Sequence, residues 1–374
     1  MTTDAERILS GTRVPLGELP KISLHDHLDG GLRAQTIIDL APDAGVELPA
    51  DTAEGLAAWF LESCSSGDLV DYLKTFDITI AVTQTAENLT RVAREFVEDL
   101  AADGVIYGEI RWAPEQHIAG GLTLDQAVEA VQAGIDEAIA TIEAKGGWIR
   151  AGQLVSAMRQ YDNSMAIAEL ALRHRDSGAV GFDIAGPEKG YPPSRFAEAF
   201  DLLARECFPV TVHAGEADGL ESIRSALVDG HALRIGHGVC IADDITLEDG
   251  DDDDETSLVT LGLLAQWIKD RGIPLETSPS SNLQTAAFTA WGPGMAGHPF
   301  DVLYQLGFRI TVNTDNRLMS ATTVTREVAL LVDAFGYDAD DVEQFMVNAA
   351  EAAFLPLEDR EELIERIVTG FGRA

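Results

Sequence analysis

Two histidines separated by one residue, His25 and His27, end an apolar run near the N-terminus, in the stretch PKISLHDHLDGG. Residues i and i+2 of an extended strand point to the same side, so both imidazoles are expected to face one point. Asp29, Gly30 and Gly31 then predict a loop. Two imidazoles at the C-terminal end of a strand could begin a metal site, because hydrolytic barrel enzymes carry their sites at that end. The pair alone leaves a surface or core role equally open.

Further polar groups follow later apolar runs. The stretch TVHAGE places His213 at a strand tip and Glu216 just past a glycine turn, and RIGHG places His237 between two glycines. The stretch VNTDN places Asp315 and Asn316 at the same level. Histidines from the first and fifth strands, with the carboxylate from the eighth, form a three-His, one-Asp set. That set suits one Zn²⁺ with a position left for water.

The other candidate ligands are interpreted as structural. The predicted fourth strand, AVGFDIAG, contains no lysine, so a carbamate-bridged pair of metals is not expected. Four histidines lie in predicted loops or helices and are expected to be structural or exposed: His117, His174, His231 and His298. His231 is the nearest rival ligand, but it precedes the sixth strand and should lie away from the C-terminal face.

Eight short apolar runs would position these groups, and amphipathic stretches lie between them. The predicted strands span residues 21–27, 104–112, 148–157, 179–186, 208–216, 233–238, 273–281 and 308–315. Near-continuous apolar strands that alternate with helices indicate a parallel sheet covered by helices. The pattern predicts an α/β fold, a (β/α)8 TIM-type barrel in a single domain over residues 1–374, with a doubly wound sheet as the competitor.

Two segments depart from the regular alternation. The first two strands are separated by about 75 residues, far beyond an ordinary βα loop, and residues 36–100 resemble several helices. This helical insertion after strand 1 could form a lid or pocket wall, and a peripheral decoration is an equal alternative. The acidic run at 243–257 is expected to be a solvated loop without chemistry, because the ligand pattern of a calcium loop is missing.

Composition limits the partners. Acidic residues outnumber basic ones 63 to 26, and the formal charge of −37 argues against nucleic acid and anionic membranes, which would repel the chain. No secretion signal or membrane-spanning run is evident. Cys64, Cys207 and Cys240 lack CxxC spacing and are interpreted as reduced, mostly buried thiols of a cytoplasmic protein. A homo-oligomer is possible but does not follow from the sequence.

Taken in order, SLHDHLDG, TVHAGE, RIGHG and VNTD closely resemble the adenosine deaminase family of the amidohydrolase superfamily. The resemblance covers almost the whole chain, including FDITIAVTQTAENL, FVEDLAADGVIYGEIRWAP, GFDIAG and SPSSNLQT. It implies one zinc ion per chain and hydrolytic deamination of adenosine, and of 2′-deoxyadenosine, in purine salvage.

The resemblance also implies a role for individual residues. The zinc ligands would be His25, His27, His213 and Asp315. Glu216 would be the general acid that protonates purine N1, and His237 would orient the attacking water. The substrate contacts would be His27, Asp29 at the ribose 5′-hydroxyl, the Gly186 N–H at purine N3, Asn316, and an apolar lid of Leu69, Tyr72, Leu73 and Phe76. Chemistry agrees for Glu216, because a desolvated carboxyl can stay protonated near neutral pH.

One position departs from the family pattern. The family usually has two adjacent aspartates after the eighth strand, the second of which hydrogen-bonds purine N7, whereas this chain has Asp315 followed by Asn316. An asparagine NH₂ donates at every pH, so the contact can be preserved.

Three alternatives remain open at this stage. The first is a deaminase of adenine or of a 5′-modified adenosine, such as an aminofutalosine or methylthioadenosine derivative; Asp29 favours a free 5′-hydroxyl. The second is a catalytically inactive, zinc-stabilised binding protein, which the presence of Glu216 and His237 disfavours. The third is an amidohydrolase acting on a lactam or ester, which the ordered motifs disfavour.

Overall fold

The computed structural model describes residues 3–248, 258–288 and 291–372. Its strands are β1 Lys21–His27, β2 Val105–Trp112, β3 Arg150–Met158, β4 Ala179–Ala185, β5 Thr211–Ala214, β6 Arg234–His237, β7 Ile245–Glu248, β8 Leu258–Leu261, β9 Leu275–Thr277 and β10 Ile310–Val312. Its α-helices are α1 Ala34–Ala44, α2 Ala53–Cys64, α3 Leu69–Leu73, α4 Phe76–Ala81, α5 Ala86–Ala102, α6 Leu124–Ala144, α7 Ser164–Arg173, α8 Ala197–Arg205, α9 Leu220–Val228, α10 Leu263–Arg271, α11 Pro279–Gln284, α12 Phe300–Gln305, α13 Val324–Phe335, α14 Ala339–Ala352 and α15 Leu357–Gly370.

Two parallel sheets form the centre of the molecule. One has the strand order β1-β2-β3-β4 and the other the order β10-β9-β6-β5. Single parallel bridges join their edges, Asp26 with Asp315 and Phe182 with Val210. The sequential order within each sheet differs from that of a doubly wound sheet, in which the order reverses at a switch point. The fold is therefore α/β with parallel sheets, as the alternation predicted.

The strands are buried because helices cover them. All but the last residue of β1 is buried, and the burial pattern of β4 is similar. The long helices α5 and α6 begin at Thr85 and Thr123, whose side chains accept the backbone N–H three residues on. These two helices pack closely at Gly134, where an added Cβ would lie 2.2 Å from the Thr90 carbonyl oxygen.

The eight predicted strands are all present, but three of them are much shorter than predicted: the fifth (208–216) is Thr211–Ala214, the eighth (308–315) is Ile310–Val312, and the seventh differs most. Residues 273–281 were expected to be one strand, whereas the strand covers only Leu275–Thr277 and the helix α11 begins at Pro279. Proline at the first helical position has a backbone angle that suits a helix start, and its missing N–H is not needed there. The turn brings Ser281 and Asn282 towards the site.

The acidic segment also differs from the expected loop at its start. Residues 245–248 form strand β7, which pairs antiparallel with β8. The alternation of Ile245, Thr246, Leu247 and Glu248 suits a two-stranded ribbon. Residues 249–257 lie outside the described residues.

Five helices, α1 to α5, occupy the chain between β1 and β2. Leu69 and Leu73 lie at the two ends of α3 and Phe76 begins α4, so the predicted apolar contacts come from two short consecutive helices.

The cysteines and remaining histidines are distributed only partly as expected. Cys64 is buried, Cys240 is half-buried and Cys207 is exposed, so the interpretation of mostly buried thiols fits Cys64 best; all three are free. His117 and His298 are buried, at 1% and 3% exposure. No helix in the described part of the chain combines the length and apolar character needed to cross a bilayer.

Candidate active site

The four predicted metal ligands lie together at the C-terminal ends of the strands. One ligand atom each from His25, His27, His213 and Asp315 can be chosen so that all lie within 4.8 Å of one another. The Nε2 atoms of His27 and His213 are 3.2 Å apart. Asp315 Oδ1 lies 3.2 Å from His25 Nε2 and 3.3 Å from His27 Nε2. The cluster joins residues 290 positions apart in the chain.

Buried carboxylates contact the outer nitrogens of two of these histidines. His25 Nδ1 lies 3.1 Å from Glu276 Oε2, and His213 Nδ1 lies 2.7 Å from Asp183 Oδ2. A carboxylate can only accept when ionised, so each Nδ1 carries the proton and each Nε2 presents a lone pair to the cluster. Such partners orient metal-ligating histidines and raise their basicity.

Arg111 holds both of these carboxylates. Its guanidinium donates to Asp183 Oδ2 at 3.0 Å and to Glu276 Oε2 at 2.6 Å. Arg234 donates to the other oxygen of Glu276 at 2.6 Å. Burial raises the pKa of Asp183 and of Glu276, but His213 and Arg111 for the first, and the two arginines for the second, lower each pKa below its ordinary value. Both groups therefore stay ionised beneath the cluster.

The donor set fits a divalent cation of the zinc type. Three neutral imidazole nitrogens and one carboxylate oxygen are the ligands that Zn²⁺ takes in proteins. His25 Nε2 is buried and has no hydrogen-bond partner, although Asp315 Oδ1 is close to it. Burial raises the pKa of Asp315, yet the surrounding histidines lower it well below its ordinary value. Ser281 donates a hydrogen bond of 2.6 Å to Asp315 Oδ2, which leaves Oδ1 to face the histidines.

Glu216 and His237 lie beside this cluster. Glu216 follows β5, and the pairing of β5 with β6 sets Ala214 opposite His237. Glu216 Oε2 is 3.5 Å from His237 Nε2, and the two residues are 7% and 1% exposed. Burial raises the pKa of Glu216 well above its ordinary value, and the negative charges of Asp315 and Glu188 add to the shift. Burial lowers the pKa of His237 well below its ordinary value. The arrangement favours a protonated carboxyl beside a neutral imidazole.

A single carboxylate, Glu188, holds the loop that carries Glu216. Its two oxygens accept the backbone N–H groups of four consecutive residues, 215–218, at 2.6 to 3.2 Å. The hydroxyl of Ser222 donates to the same carboxylate at 2.5 Å. Five donors on one buried carboxylate fix the loop and so fix the direction of the Glu216 side chain.

Two site residues have unusual backbone conformations. His237 has φ 59° and Asp315 has φ 58°, both in the left-handed region that residues with a side chain rarely adopt. Conformations of this kind cost on the order of 1–3 kcal/mol and cluster at functional sites. The surrounding hydrogen bonds offset that cost.

A cavity of about 220 Å³ opens above the cluster. Every predicted substrate contact lines it: His27, Asp29, Gly186, Asn316, Leu69, Tyr72, Leu73 and Phe76. Glu216 and His237 line it as well. The lining includes no lysine or arginine among the described residues.

Asp29 and Asn316 are the polar groups of the cavity wall near β1. Burial raises the pKa of Asp29 to about 7. Asn316 is 3% exposed and packs directly against Gly30. An added Cβ on Gly30 would lie 1.8 Å from Asn316 Oδ1, so only glycine permits this contact.

Several residues of the site were missed by sequence reasoning. Asp183, Glu276 and Glu188 are buried carboxylates, and a charged residue inside an apolar run is the signal that could have identified Asp183 and Glu276. Ser281 is the last residue of the segment predicted as strand and Asn282 follows it directly, and His298 was expected to be structural or exposed.

Comparisons with known proteins agree with this geometry. Residues 20–370 match the family described as adenosine deaminase. The chain is 51% identical over 351 residues to adenosine deaminase 1 of Streptomyces coelicolor, covering 93% of this chain and 86% of that protein. It is 49% identical over 356 residues to an adenosine deaminase of Mycobacteroides abscessus, covering 95% and 96% of the two chains.

Solved structures share the fold. An N6-mAMP deaminase from Arabidopsis superposes with a TM-score of 0.78 at 26% identity and covers 95% of this chain and 99% of its own. An adenine deaminase from Arthrobacter aurescens gives a TM-score of 0.79 at 24% identity, covering 94% and 98%, and so supports the fold alone. The four motifs meet at one cavity, residues 20–370 match the family, and about half of the aligned residues are identical in the Streptomyces and Mycobacteroides enzymes. The chain therefore belongs to the adenosine deaminase family.

Proposed function

We propose that this chain catalyses the zinc-dependent hydrolytic deamination of adenosine, and of 2′-deoxyadenosine, to inosine or deoxyinosine and ammonia, in purine salvage. The observation that carries the proposal is the pairing of Glu216 with His237, 3.5 Å apart, beside a three-His, one-Asp cluster at the floor of the cavity. Adding OH to C6 and H to N1, followed by loss of ammonia, consumes one water and needs no redox partner.

One zinc ion would be held by His25, His27, His213 and Asp315. When bound there, zinc lowers the pKa of water from about 15.7 to about 7 and so supplies hydroxide at neutral pH. Asp183 and Glu276 would keep the Nε2 lone pairs of His213 and His25 directed at the ion.

Glu216 would protonate purine N1 and make C6 electrophilic. A carboxyl group can do this near pH 7 only if its pKa is raised, and its burial and the nearby charges of Asp315 and Glu188 act in that direction. Glu188 holds the loop so that the acid keeps its position through the cycle. His237 would orient the attacking oxygen.

The cavity walls would orient the nucleoside. Asp29 would accept a hydrogen bond from the ribose 5′-hydroxyl, Gly186 N–H would meet purine N3, and Asn316 would donate to purine N7. The apolar side chains of Leu69, Tyr72, Leu73 and Phe76 would cover the nucleoside and exclude water.

We also propose that the two sheets are halves of one closed (β/α)8 barrel in a single domain over residues 1–374, with α1 to α5 as an insertion after strand 1. The bridges Asp26–Asp315 and Phe182–Val210 support closure, because each joins the outer strands of the two halves.

Related substrates fit the cavity less well. A 5′-phosphate would need cationic partners, and none of the described lining residues is lysine or arginine. Adenine, or a nucleoside modified at C5′, would leave Asp29 without its proposed partner. An inactive binding protein has no need of a buried acid whose pKa is raised.

A spectrophotometric screen of adenosine, 2′-deoxyadenosine, adenine, 5′-methylthioadenosine and AMP tests the proposal. The first two should be turned over fastest, with close to one zinc per chain. Glu216→Gln should retain zinc and substrate binding while kcat falls by about 10²–10⁴-fold, because the amide cannot supply the proton. His213→Ala should lose the metal instead. Two metals per chain, or turnover that survives metal removal, would contradict the mononuclear site.

A further inference from the structure

A series of hydrogen bonds connects the backbone amide of Phe300 to His237 through His298 and Asn282. Phe300 N–H, at the start of α12, donates to His298 Nδ1 at 3.0 Å. A backbone N–H can only donate, so His298 Nδ1 must offer its lone pair. The proton of this buried, neutral imidazole is therefore on Nε2.

Asn282 accepts a hydrogen bond from that N–H group. His298 Nε2 lies 3.3 Å from Asn282 Oδ1, and the backbone N–H of Ser278 donates to the same atom at 3.3 Å. Two donors converge on one end of the amide, which fixes that end as the carbonyl oxygen. The NH₂ end must then point the other way.

The NH₂ end points at His237. Asn282 Nδ2 lies 3.0 Å from His237 Nδ1, and an amide NH₂ can only donate. His237 Nδ1 is therefore an acceptor, and the proton of its ring is on Nε2. That Nε2–H faces the cavity, 3.5 Å from Glu216 Oε2.

Burial fixes the orientation of each residue in this series of hydrogen bonds. Ser278, Asn282 and His298 are 1%, 0% and 3% exposed. The ring of Phe288 packs against His298 with centroids 4.5 Å apart. Water cannot replace a partner here, and a flipped Asn282 would set its NH₂ against two donors, which leaves buried groups unpaired.

We propose that Asn282 and His298 are positioning residues that hold His237 as the Nε2–H tautomer, so that His237 presents a hydrogen-bond donor to the attacking oxygen. The inference rests on the proposed function and refines it. A ring with its proton on Nε2 orients and stabilises the oxygen but takes no proton from it. Its N–H also faces Glu216 Oε2, which leaves Oε1 to carry the acid proton towards purine N1.

The decisive substitution is Asn282→Asp. It keeps the shape and the acceptor at Oδ1 but replaces the NH₂ donor with a second acceptor, so His237 must carry its proton on Nδ1. The tautomer is read directly from long-range ¹H–¹⁵N spectra of metal-free protein labelled with ¹⁵N-histidine, with His237→Gln to assign the signal. We expect Nε2–H in the wild type and Nδ1–H in Asn282→Asp.

Kinetics give the second measurement. With the zinc-loaded enzyme, Asn282→Asp should lower kcat for adenosine by about 10²-fold, the loss typical of one preorganised donor, with little change in KM. His298→Gln retains a donor for Asn282 Oδ1, and its kcat should stay within a few fold of the wild-type value. His298→Leu has no such donor, and its kcat should fall further. Asn348→Ala removes a buried amide that donates to the Ile310 carbonyl. Neither residue lines the cavity, so kcat should be unchanged.

The outcomes separate the two proposals. An Nδ1–H signal for His237 in the wild type overturns the proposal that Asn282 and His298 hold the Nε2–H tautomer, even if no variant folds. An Nε2–H signal in Asn282→Asp overturns it too, and so does a kcat that Asn282→Asp leaves unchanged. A wild-type protein that does not deaminate adenosine overturns the proposed function, and the spectra still show which tautomer of His237 is present.

Discussion

Asn316 is the residue that distinguishes this cavity from the usual family pattern. The family's aspartate must be protonated to donate to purine N7, whereas the asparagine NH₂ donates at any pH. The close contact with Gly30 restricts the amide, because any side chain at position 30 would collide with it. If Asn316 contacts purine N7 as proposed, the substitution would preserve that contact and remove its dependence on protonation.

The contact can be tested with 7-deazaadenosine, in which a C–H replaces the N7 acceptor. We expect kcat/KM to fall by about one to two decades relative to adenosine, since an unsatisfied buried polar group costs about 1–3 kcal/mol. Asn316→Leu should discriminate little between the two nucleosides, and Asn316→Asp should stay active. Equal rates for the two nucleosides in the wild type would show that Asn316 does not contact N7.

At this scale, the sequence predicted the residues at strand ends and missed those that support them. His25, His27, His213 and Asp315 follow apolar runs, and parallel strands end on one face, so their meeting could be predicted. Glu276 and Asn282 depend on where β9 stops, and the apolar pattern could not show that Pro279 begins a helix. Glu188 lies in a loop, where no periodicity indicates that it turns back to bind residues 215–218.

A short turn of 3-10 helix after β2 is joined to the chain just after α4 by the buried side chain of His117. His117 ends a turn of 3-10 helix, Pro114–His117, and its Nδ1 lies 2.8 Å from Thr83 Oγ1, just beyond α4. Trp112 packs against the ring with centroids 5.5 Å apart. Burial lowers the pKa of His117 to about 4, although the hydrogen bond to Thr83 partly offsets the shift. This contact connects the loop after β2 to the chain that follows α4, next to the helices of the proposed apolar lid.

Acid should therefore weaken this contact between elements. Because the folded-state pKa lies below the unfolded value of about 6.5, the unfolded chain binds the proton first as the pH falls. The contribution is complete above pH ~6.5 and is lost towards pH ~4, to a total of about 3 kcal/mol. Urea unfolding of His117→Gln should show a smaller loss of stability between pH 7 and 4 than wild type. His231→Gln, on the exposed surface, is the control, and an unchanged slope in His117→Gln would contradict the assignment.

The fold of the elements was largely predictable because each strand and helix satisfies its own periodicity. Eight parallel strands and the helices between β1 and β2 follow from apolar runs and amphipathic stretches. The hairpin of β7 and β8 was missed because its residues adjoin a run of like charges, which predicts solvation and conceals the alternation of Ile245 to Glu248. Pairing across such a run is a tertiary contact that local composition does not reveal.

The molecule as a whole carries a large negative charge. Its 63 acidic and 26 basic residues give −37 over 374 residues, and the buried ion pairs of Arg111 and Arg234 in the centre balance only a few of these charges. Most of the excess charge therefore lies at the surface, where like charges repel and oppose the compact state.

Added salt should stabilise the protein for this reason. The screening length falls from about 30 Å at 0.01 M to about 3 Å at 1 M, so surface repulsion is largely removed. We expect the Tm at neutral pH to rise by several degrees with potassium chloride, most steeply below about 0.3 M, where the screening length changes fastest. Exclusion of salt from the surface would instead give a linear rise up to molar concentrations. A Tm that is flat or falls at low salt would exclude repulsion as a major term.

The bridge between Asp26 and Asp315 has a consequence for how the site is assembled. Each four-stranded sheet is built from a continuous part of the chain, residues 21–185 for one and 211–312 for the other. The ligands divide along the same line, with His25 and His27 on the first sheet and His213 and Asp315 on or just after the second. Neither half holds a complete ligand set, so we expect all four ligands to bind one ion only after the two halves have docked. An ion bound there would link the two sheets, and we expect tight metal uptake during refolding to accompany the docking of the two halves.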